Sequence, residues 1–258
     1  MATRDHNELT DLLNQTRQFL MQQQDLFGDM IIAPSGAKLP APNNSGARAA
    51  VSPGEREEAE ASVFSYPDEP WVTSATLEEL NGAICQCTKC ALGATRMKFV
   101  FGVGNPRAEV MFIGEGPGAD EDAKGEPFVG RAGQLLNKII GATGMKREDV
   151  YICNIVKCRP PNNRAPMPAE EETCTPYLMK QIELVKPKFI ICLGRTAAQW
   201  ILHTADGLAA MRGRMHDFHG IKLIVTYHPA ALLRNPEWKK PTWEDMKMFM
   251  KALEETRG

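Results

Sequence analysis

Apolar runs alternate with helical patterns over most of this 258-residue chain beyond residue 100. Four runs rich in β-branched residues have the length of buried strands, at residues 109–114, 150–156, 189–194 and 222–227. Helical patterns lie between and after these runs, at residues 132–143, 168–184, 196–203 and 242–254. The alternation predicts an α/β fold in which helices cover both faces of a mainly parallel, four-stranded sheet.

Composition divides the chain into three parts. Residues 1–32 carry leucines near helical spacing and predict an amphipathic helix, which can pack on the body, fray in solution or dock a protein partner. Residues 33–75 are rich in Pro, Ala and Glu and have few large apolar groups, which predicts a flexible linker. Residues 76–258 are then the folded domain.

Charge is distributed unevenly between these parts. Residues 1–75 hold five Lys/Arg against eleven Asp/Glu, so a net charge of -6 lies there and +4 remains for the rest. A mildly basic body suits a phosphate backbone without demonstrating one. The chain has neither a membrane-length apolar run nor a secretory signal pattern, so we expect a cytoplasmic monomer with no membrane association.

Four of the seven cysteines form a constellation with metal-ligand spacing. Cys87 and Cys90 make a C-x-x-C pair, and Cys158 and Cys174 flank a proline-rich loop. Four thiolates can hold either a structural zinc ion or a 4Fe-4S cluster, and the spacing alone does not separate the two.

The other three cysteines predict different roles. Cys153 and Cys192 lie inside predicted strands and are expected to be buried thiols. Cys85 is ambiguous, because a small change of register would let it replace Cys87 as a ligand.

Polar residues follow the predicted strands, where ligands bind in open α/β sheets. Glu115 comes directly after the first strand, Asn154 lies late in the second, and His228 follows the fourth. The glycine-rich stretch after the first strand matches neither common nucleotide-binding motif, although its glycines permit close approach to a ligand.

Five motifs in order resemble the family 4 uracil-DNA glycosylases, the bacterial and archaeal iron-sulfur type. They are the C-x-x-C pair, GEGPGADED, GEPFVGRAG, CNIVKCRPPNNR and TYHPAALLRNP, within a match from about residue 87 to residue 253. The resemblance implies a three-layer αβα sandwich that removes uracil from single- or double-stranded DNA. It also implies that Cys87, Cys90, Cys158 and Cys174 ligate a structural 4Fe-4S cluster.

The resemblance further implies roles at the strand ends. Glu115 would position or activate the attacking water, and His228 would stabilise charge on the departing base. Phe128 would stack on the extruded uracil, Asn154 would read its amide edge, and Glu121 would crowd the place of a thymine methyl group. The resemblance implies uracil binding by Gly114, Glu115, Gly116, Glu121, Phe128, Asn154 and His228.

Contact with the duplex is expected from a second group of residues. In this group Leu232, Leu233 or Arg234 would wedge into or grip the DNA, and Arg131 would bind it. A related variant traps its substrate through a histidine in a basic insert, but the corresponding stretch here, KCRPPNNRAPMP, has none, so ordinary turnover is expected.

Two other functions fit parts of the pattern. A non-catalytic uracil- or DNA-binding module associated with a polymerase would share the fold, but it should have lost Glu115 or His228, and both are present. An iron-sulfur redox enzyme would need a second centre or a flavin site, for which the sequence has no motif.

Overall fold

The computed structural model describes residues 64–257, and these contain one mixed sheet of six strands. The strands are β1 (Val103–Gly104), β2 (Val110–Gly114), β3 (Tyr151–Asn154), β4 (Phe189–Leu193), β5 (Met215–Phe218) and β6 (Ile221–Thr226). Their order across the sheet is β1-β3-β2-β4-β6-β5. The four central strands run parallel, while β1 and β5 pair antiparallel at the two edges.

The central strands are the four that the apolar runs predict, and the α/β class is confirmed. The prediction of four strands is wrong for the whole sheet, because β1 and β5 extend it to six. β1 has only two residues, and the first three residues of β5 are partly exposed or exposed. Edge strands pair on one side only, so they lack the continuous burial that makes a central strand conspicuous in sequence.

Nine helices accompany the sheet within residues 64–257. They are α1 (Leu77–Ile84), α2 (Leu92–Thr95), α3 (Ala119–Lys124), α4 (Arg131–Ala142), α5 (Pro168–Val185), α6 (Arg195–Leu202), α7 (Leu208–Met211), α8 (Pro229–Arg234) and α9 (Lys239–Arg257). Short 3-10 turns lie at Pro70–Thr73, Arg147–Asp149, Pro161–Asn163 and Pro236–Trp238. The four helices predicted between and after the strands are present, as α4, α5, α6 and α9.

Two apolar cores lie on opposite faces of the sheet. Alternate strand residues enter each core: Met111 and Ile113 belong to the first, Val110 and Phe112 to the second. The first core also takes side chains from α1, α5 and α6, and the second takes them from α4 and α9. Helices therefore cover both faces, which explains why the central strands carry almost no polar residues.

Residues 64–75 differ from the flexible linker predicted for them. Trp71 is buried in the first core, Phe64 and Tyr66 pack against it, and the Tyr66 hydroxyl donates a 2.7 Å hydrogen bond to Glu183 Oε2 on α5. The segment has few large apolar residues on average, but its three aromatic side chains bury enough area to pack it on the domain. The predicted N-terminal helix and the linker up to residue 63 lie outside the described residues.

The parallel register brings the strand ends together. Gly114 pairs with Asn154 across β2 and β3, and Leu193 pairs with Thr226 across β4 and β6. The residues that follow these strands therefore meet at one edge of the sheet. Among the described residues, no helix is both long enough and apolar enough to span a bilayer.

Two glycines of α4 provide a test of how tightly this edge is packed. A methyl group on Gly133 would overlap the backbone of Phe128, whereas one on Gly141 would meet nothing within 4 Å. We expect Gly133→Ala to lower the free energy of unfolding by about 1–3 kcal/mol, because the overlapped atoms are backbone. Gly141→Ala should be neutral or stabilising by up to about 1 kcal/mol. Urea denaturation measures both, and equal effects would contradict the close packing.

Candidate active site

Glu115 lies at the centre of the strand-end edge, directly after β2. Its carboxylate accepts a hydrogen bond from the Thr196 hydroxyl at the start of α6, and the Arg195 guanidinium lies near enough to attract it. Burial raises the pKa of Glu115, and Thr196 and Arg195 oppose that rise. A carboxylate that is poorly hydrated but still ionisable is a stronger base than one in water.

Asn154 presents a buried amide at the end of β3. The residue is 1% exposed, and its Oδ1 atom has no hydrogen-bond partner in the described part of the chain. The backbone beneath it is fixed, because Lys157 Nζ donates to the Asn154 carbonyl oxygen at 2.7 Å and to Gln181 Oε1 at 2.5 Å. A rigidly held, unpaired acceptor is costly unless a ligand pairs with it.

Phe128 and Gly114 lie against this amide. Phe128 is buried and has a left-handed backbone, with φ of 53°, which is uncommon outside glycine. A methyl group on Gly114 would overlap both Asn154 Oδ1 and the Phe128 ring, so only glycine allows the two to converge here. Gly116 has a similar constraint, since a methyl group there would come within 2.7 Å of Val156 Cγ2.

His228 faces Phe128 from the loop after β6, with 5.5 Å between the ring centroids. Its Nδ1 accepts a 3.1 Å hydrogen bond from the Ala230 backbone N–H at the start of α8. Burial, and next the Arg234 guanidinium, lower the pKa of His228 to about 4. The ring is therefore neutral at pH 7, and because Nδ1 accepts, its proton is on Nε2, which can donate to a ligand.

Glu121 lies on α3 and binds the loop backbone. Its Oε1 accepts from the N–H groups of Val129 and Gly130 at 2.9 and 3.0 Å, and its Oε2 accepts from Gly118 N–H at 3.1 Å. These bonds join the two glycine-rich stretches on either side of α3. The carboxylate oxygens are occupied in holding the Phe128 loop, an arrangement that does not favour the predicted contact with a thymine methyl group.

The residues predicted to contact DNA differ in how far their side chains are exposed. Leu233 is 39% exposed, and Arg131 and Arg234 are exposed as well. Leu232 is only 1% exposed, an arrangement that favours Leu233 over Leu232 as the residue that enters DNA. The sequence could not distinguish the two leucines, because which one faces solvent depends on how α8 packs.

The four predicted metal ligands lie close to one another. Burial first, and then the neighbouring Cys90 and Cys87, raise the pKa of the Cys158 thiol. Burial raises the pKa of Cys174 to about 12, and Cys158 and Cys90 add to that rise. Thiolates in this position need a positive charge beside them, which a metal centre supplies.

Hydrogen-bond donors point at three of these sulfurs. Arg96 Nη1 donates to Cys158 Sγ, the Lys157 backbone N–H donates to Cys174 Sγ, and the Tyr177 hydroxyl donates to Cys87 Sγ, each at 3.3 Å. Within residues 64–257, no group of three or more His, Cys, Asp or Glu is arranged to hold a single metal ion. Donors aimed at sulfur are a feature of iron-sulfur centres. Cys85 Sγ instead donates to the Gly82 carbonyl oxygen, at 3.6 Å.

Sequence reasoning missed the residues that support the site. Lys157 is fully buried, and Thr196 and Arg195 bear on Glu115 from another strand end. Glu171 on α5 is also buried close to Glu115. A lysine inside the apolar run before Cys158 was the only signal in the sequence, since the other contacts arise from tertiary packing.

Comparison with known proteins agrees with this geometry. The family model described as the uracil DNA glycosylase superfamily matches residues 101–247. Type-4 uracil-DNA glycosylase of Archaeoglobus fulgidus is 45% identical over 180 residues, which cover 67% of this chain and 90% of the relative. The Thermotoga maritima enzyme of the same name is 46% identical, over 62% of this chain and 84% of the relative. The Saccharolobus solfataricus enzyme of that name is 44% identical, over 69% of this chain and 86% of the relative. The resemblance predicted from the motifs is confirmed, and the chain belongs to the uracil-DNA glycosylase superfamily, among its type-4 members.

Proposed function

We propose that this chain is a monofunctional uracil-DNA glycosylase, which hydrolyses the N-glycosidic bond of uracil in DNA for base excision repair. The main observation is the buried Asn154 amide, which lies against the Phe128 ring and whose Oδ1 has no hydrogen-bond partner within residues 64–257. Family membership supports the reaction, and the neighbouring groups supply the chemistry that it needs.

Breaking the C1'–N1 bond creates two opposite charges. Positive charge develops on the sugar, and negative charge develops on the departing uracil, mainly at its O2 atom. A carboxylate beside the sugar and a hydrogen-bond donor at O2 stabilise this transition state. Glu115 provides the carboxylate and can accept a proton from the attacking water. His228 provides the donor through Nε2–H.

The neutral state of His228 suits it to this role. With a pKa of about 4, the ring keeps its single proton on Nε2 throughout the neutral range. A neutral imidazole can donate a hydrogen bond to the uracil anion, and it does not form an ion pair that would have to break when the product leaves. The Arg234 charge nearby favours the anion and disfavours protonation of the ring.

Asn154 supports selection of uracil over cytosine. Its Oδ1 can accept from uracil N3–H and its amide N–H can donate to uracil O4, whereas cytosine presents the opposite groups at both positions. A buried polar site rejects a mismatched edge strongly, because the wrong base leaves groups unpaired. Phe128 would stack on the flipped base, which has to leave the helix stack before it can reach this depth.

DNA would approach the edge of the sheet that carries α8. Leu233 and Arg234 are exposed there and can enter or grip the duplex, and Arg131 at the start of α4 adds a positive charge. Glu121 contributes indirectly, because it holds the Phe128 loop through the N–H groups of Val129 and Gly130.

Cys87, Cys90, Cys158 and Cys174 would hold a structural 4Fe-4S cluster. The cluster would neutralise their thiolate charge and link the segment before β1 to the loop after β3 and to α5. The three sulfur-directed donors and the mutual electrostatic influence of the thiols support this assignment.

Glycosylase activity is tested by incubating the protein with a uracil-containing oligonucleotide in buffer without added divalent metal. We expect free uracil and an alkali-labile site. Glu115→Gln should slow single-turnover cleavage by about 10²- to 10⁴-fold, because the base is lost. Glu148→Gln, an exposed control, should leave the rate unchanged. An intact oligonucleotide with the wild-type chain would contradict the activity and favour a binding module.

Base selection is tested with Asn154→Asp. A carboxylate accepts from the cytosine amino group and repels uracil O4, so the variant should release cytosine. Its rate on uracil should fall by about 100-fold or more. Asn137→Asp, which changes an exposed amide on α4, is the matched control. If Asn154→Asp kept the wild-type substrate range, the amide would not read the base.

The ligand set is tested by comparing Cys87→Ser with Cys85→Ser. We expect Cys87→Ser to lose iron, sulfide and visible absorbance, while Cys85→Ser keeps them, because only the Cys87 sulfur accepts the Tyr177 hydroxyl. Metal and sulfide analysis of the purified proteins measures this. The opposite result would assign Cys85 as the ligand, and zinc without sulfide in the wild-type protein would refute the cluster.

A further inference from the structure

A second carboxylic acid, Glu171, is buried near the catalytic carboxylate. It lies in the first turn of α5, is 6% exposed, and its Oε1 has no hydrogen-bond partner among the described residues. Its neighbour Glu170 already caps α5 through the Met167 N–H and pairs with Arg164 at 2.7 Å. The capping hydrogen bond of α5 is thus made by Glu170, and the burial of Glu171 calls for another explanation.

A cavity of about 390 Å³ lies beside Glu171. Its wall includes Glu171 and Thr196, together with Gln199, Trp200 and His203 from α6 and its end. Thr196 also donates a hydrogen bond to Glu115, so a single side chain stands between this cavity and the catalytic carboxylate. The cavity is wide enough to hold several waters, and Glu171, Thr196 and Gln199 offer them hydrogen-bond partners.

Charged groups surround Glu171 on several sides. Burial first, then repulsion from Glu115 and from Glu170, raise its pKa to about 7. Arg164 neutralises Glu170, and Arg195 bears on Glu115 rather than on Glu171. His203 lines the far wall of the cavity. Glu115 is thus the only catalytic group among these neighbours, and its influence on Glu171 is the larger of the two repulsions.

We propose that Glu171 is a positioning residue of the catalytic centre, a second carboxyl group that acts with Thr196 to set the charge state of Glu115. The role rests on the proposed function. Glu171 takes the proton of the pair while Glu115 keeps the negative charge, because Glu115 alone has the Thr196 hydrogen bond and the Arg195 charge. Two interacting carboxyl groups then ionise in separate steps.

The second ionisation has a predictable effect on the reaction. When Glu171 loses its proton, a second negative charge lies behind Glu115. This charge makes Glu115 more basic and stabilises the cationic sugar, so cleavage should accelerate as the pH rises through about 7. His228 does not contribute a step in this range, because it titrates near pH 4.

The first test is the pH profile of single-turnover uracil release. For the wild-type protein we expect an increase on the order of threefold across neutrality, which is modest because solvent in the cavity screens the charge. Glu171→Gln keeps the shape of the side chain but cannot ionise, so this step should disappear. Glu172→Gln, an exposed neighbour, should retain it. A step that persists in Glu171→Gln, or is missing from the wild-type protein, would overturn the proposal.

The second test needs no catalysis. Because burial raises the folded-state pKa of Glu171 above its ordinary value of 4.5, its contribution to stability is present below that pH and is lost as the pH rises through 7. The melting temperature of the wild-type protein should therefore fall more between pH 5 and pH 8 than that of Glu171→Gln. Parallel curves would refute a buried, protonated Glu171.

The two proposals fail in different ways. A wild-type protein that released no uracil would overturn the proposed function and this role with it. A protein that released uracil while Glu171→Gln kept the wild-type pH profile would overturn only the role of Glu171.

Discussion

The parallel pairing of β2 with β3 is the constraint on which the site depends. Its register sets Gly114 beside Asn154, and from that pair the other groups follow. The missing side chain of Gly114 lets the Asn154 amide and the Phe128 ring meet, and His228 closes the far side of the ring. Glu115 is carried to the same edge because it is the next residue after Gly114. A shift of one residue in this register would turn the amide to the opposite face of the sheet.

Several polar groups at this edge are buried, which costs hydration free energy, and hydrogen bonds from the surrounding fold offset that cost. The Asn154 backbone rests on Lys157, a fully buried lysine paired with Gln181 and the Asn154 carbonyl. Glu121 Oε1 fixes the loop that carries Phe128, and its Oε2 binds the Gly118 N–H at the start of α3. Each arrangement replaces lost hydration with a defined hydrogen bond, while the Asn154 amide oxygen remains open to a ligand. Preorganisation of this kind is what allows a pocket to discriminate between two pyrimidines.

The central strands and the strand-end residues could be predicted from the sequence, because a run of apolar residues marks each buried strand and the polar residue that follows it is easy to recognise. It did not predict β5, since one side of that strand meets solvent, nor the aromatic anchor at Trp71, since the composition of its segment is that of a linker. Leu232 and Leu233 are neighbours of the same type, and only the packing of α8 shows that the first is buried. Thr196 and Glu171 could not have been singled out, because their proximity to Glu115 arises from helices that follow different strands.

The convergence of these groups on one base is tested most directly by a crystal structure with DNA carrying a non-hydrolysable deoxyuridine analogue. The account predicts an extruded uracil stacked on Phe128, with its N3–H and O4 edge bonded to the Asn154 amide and its O2 within hydrogen-bond distance of His228 Nε2. An analogue that stayed stacked in the duplex, or a base bound with its edge turned away from Asn154, would contradict it.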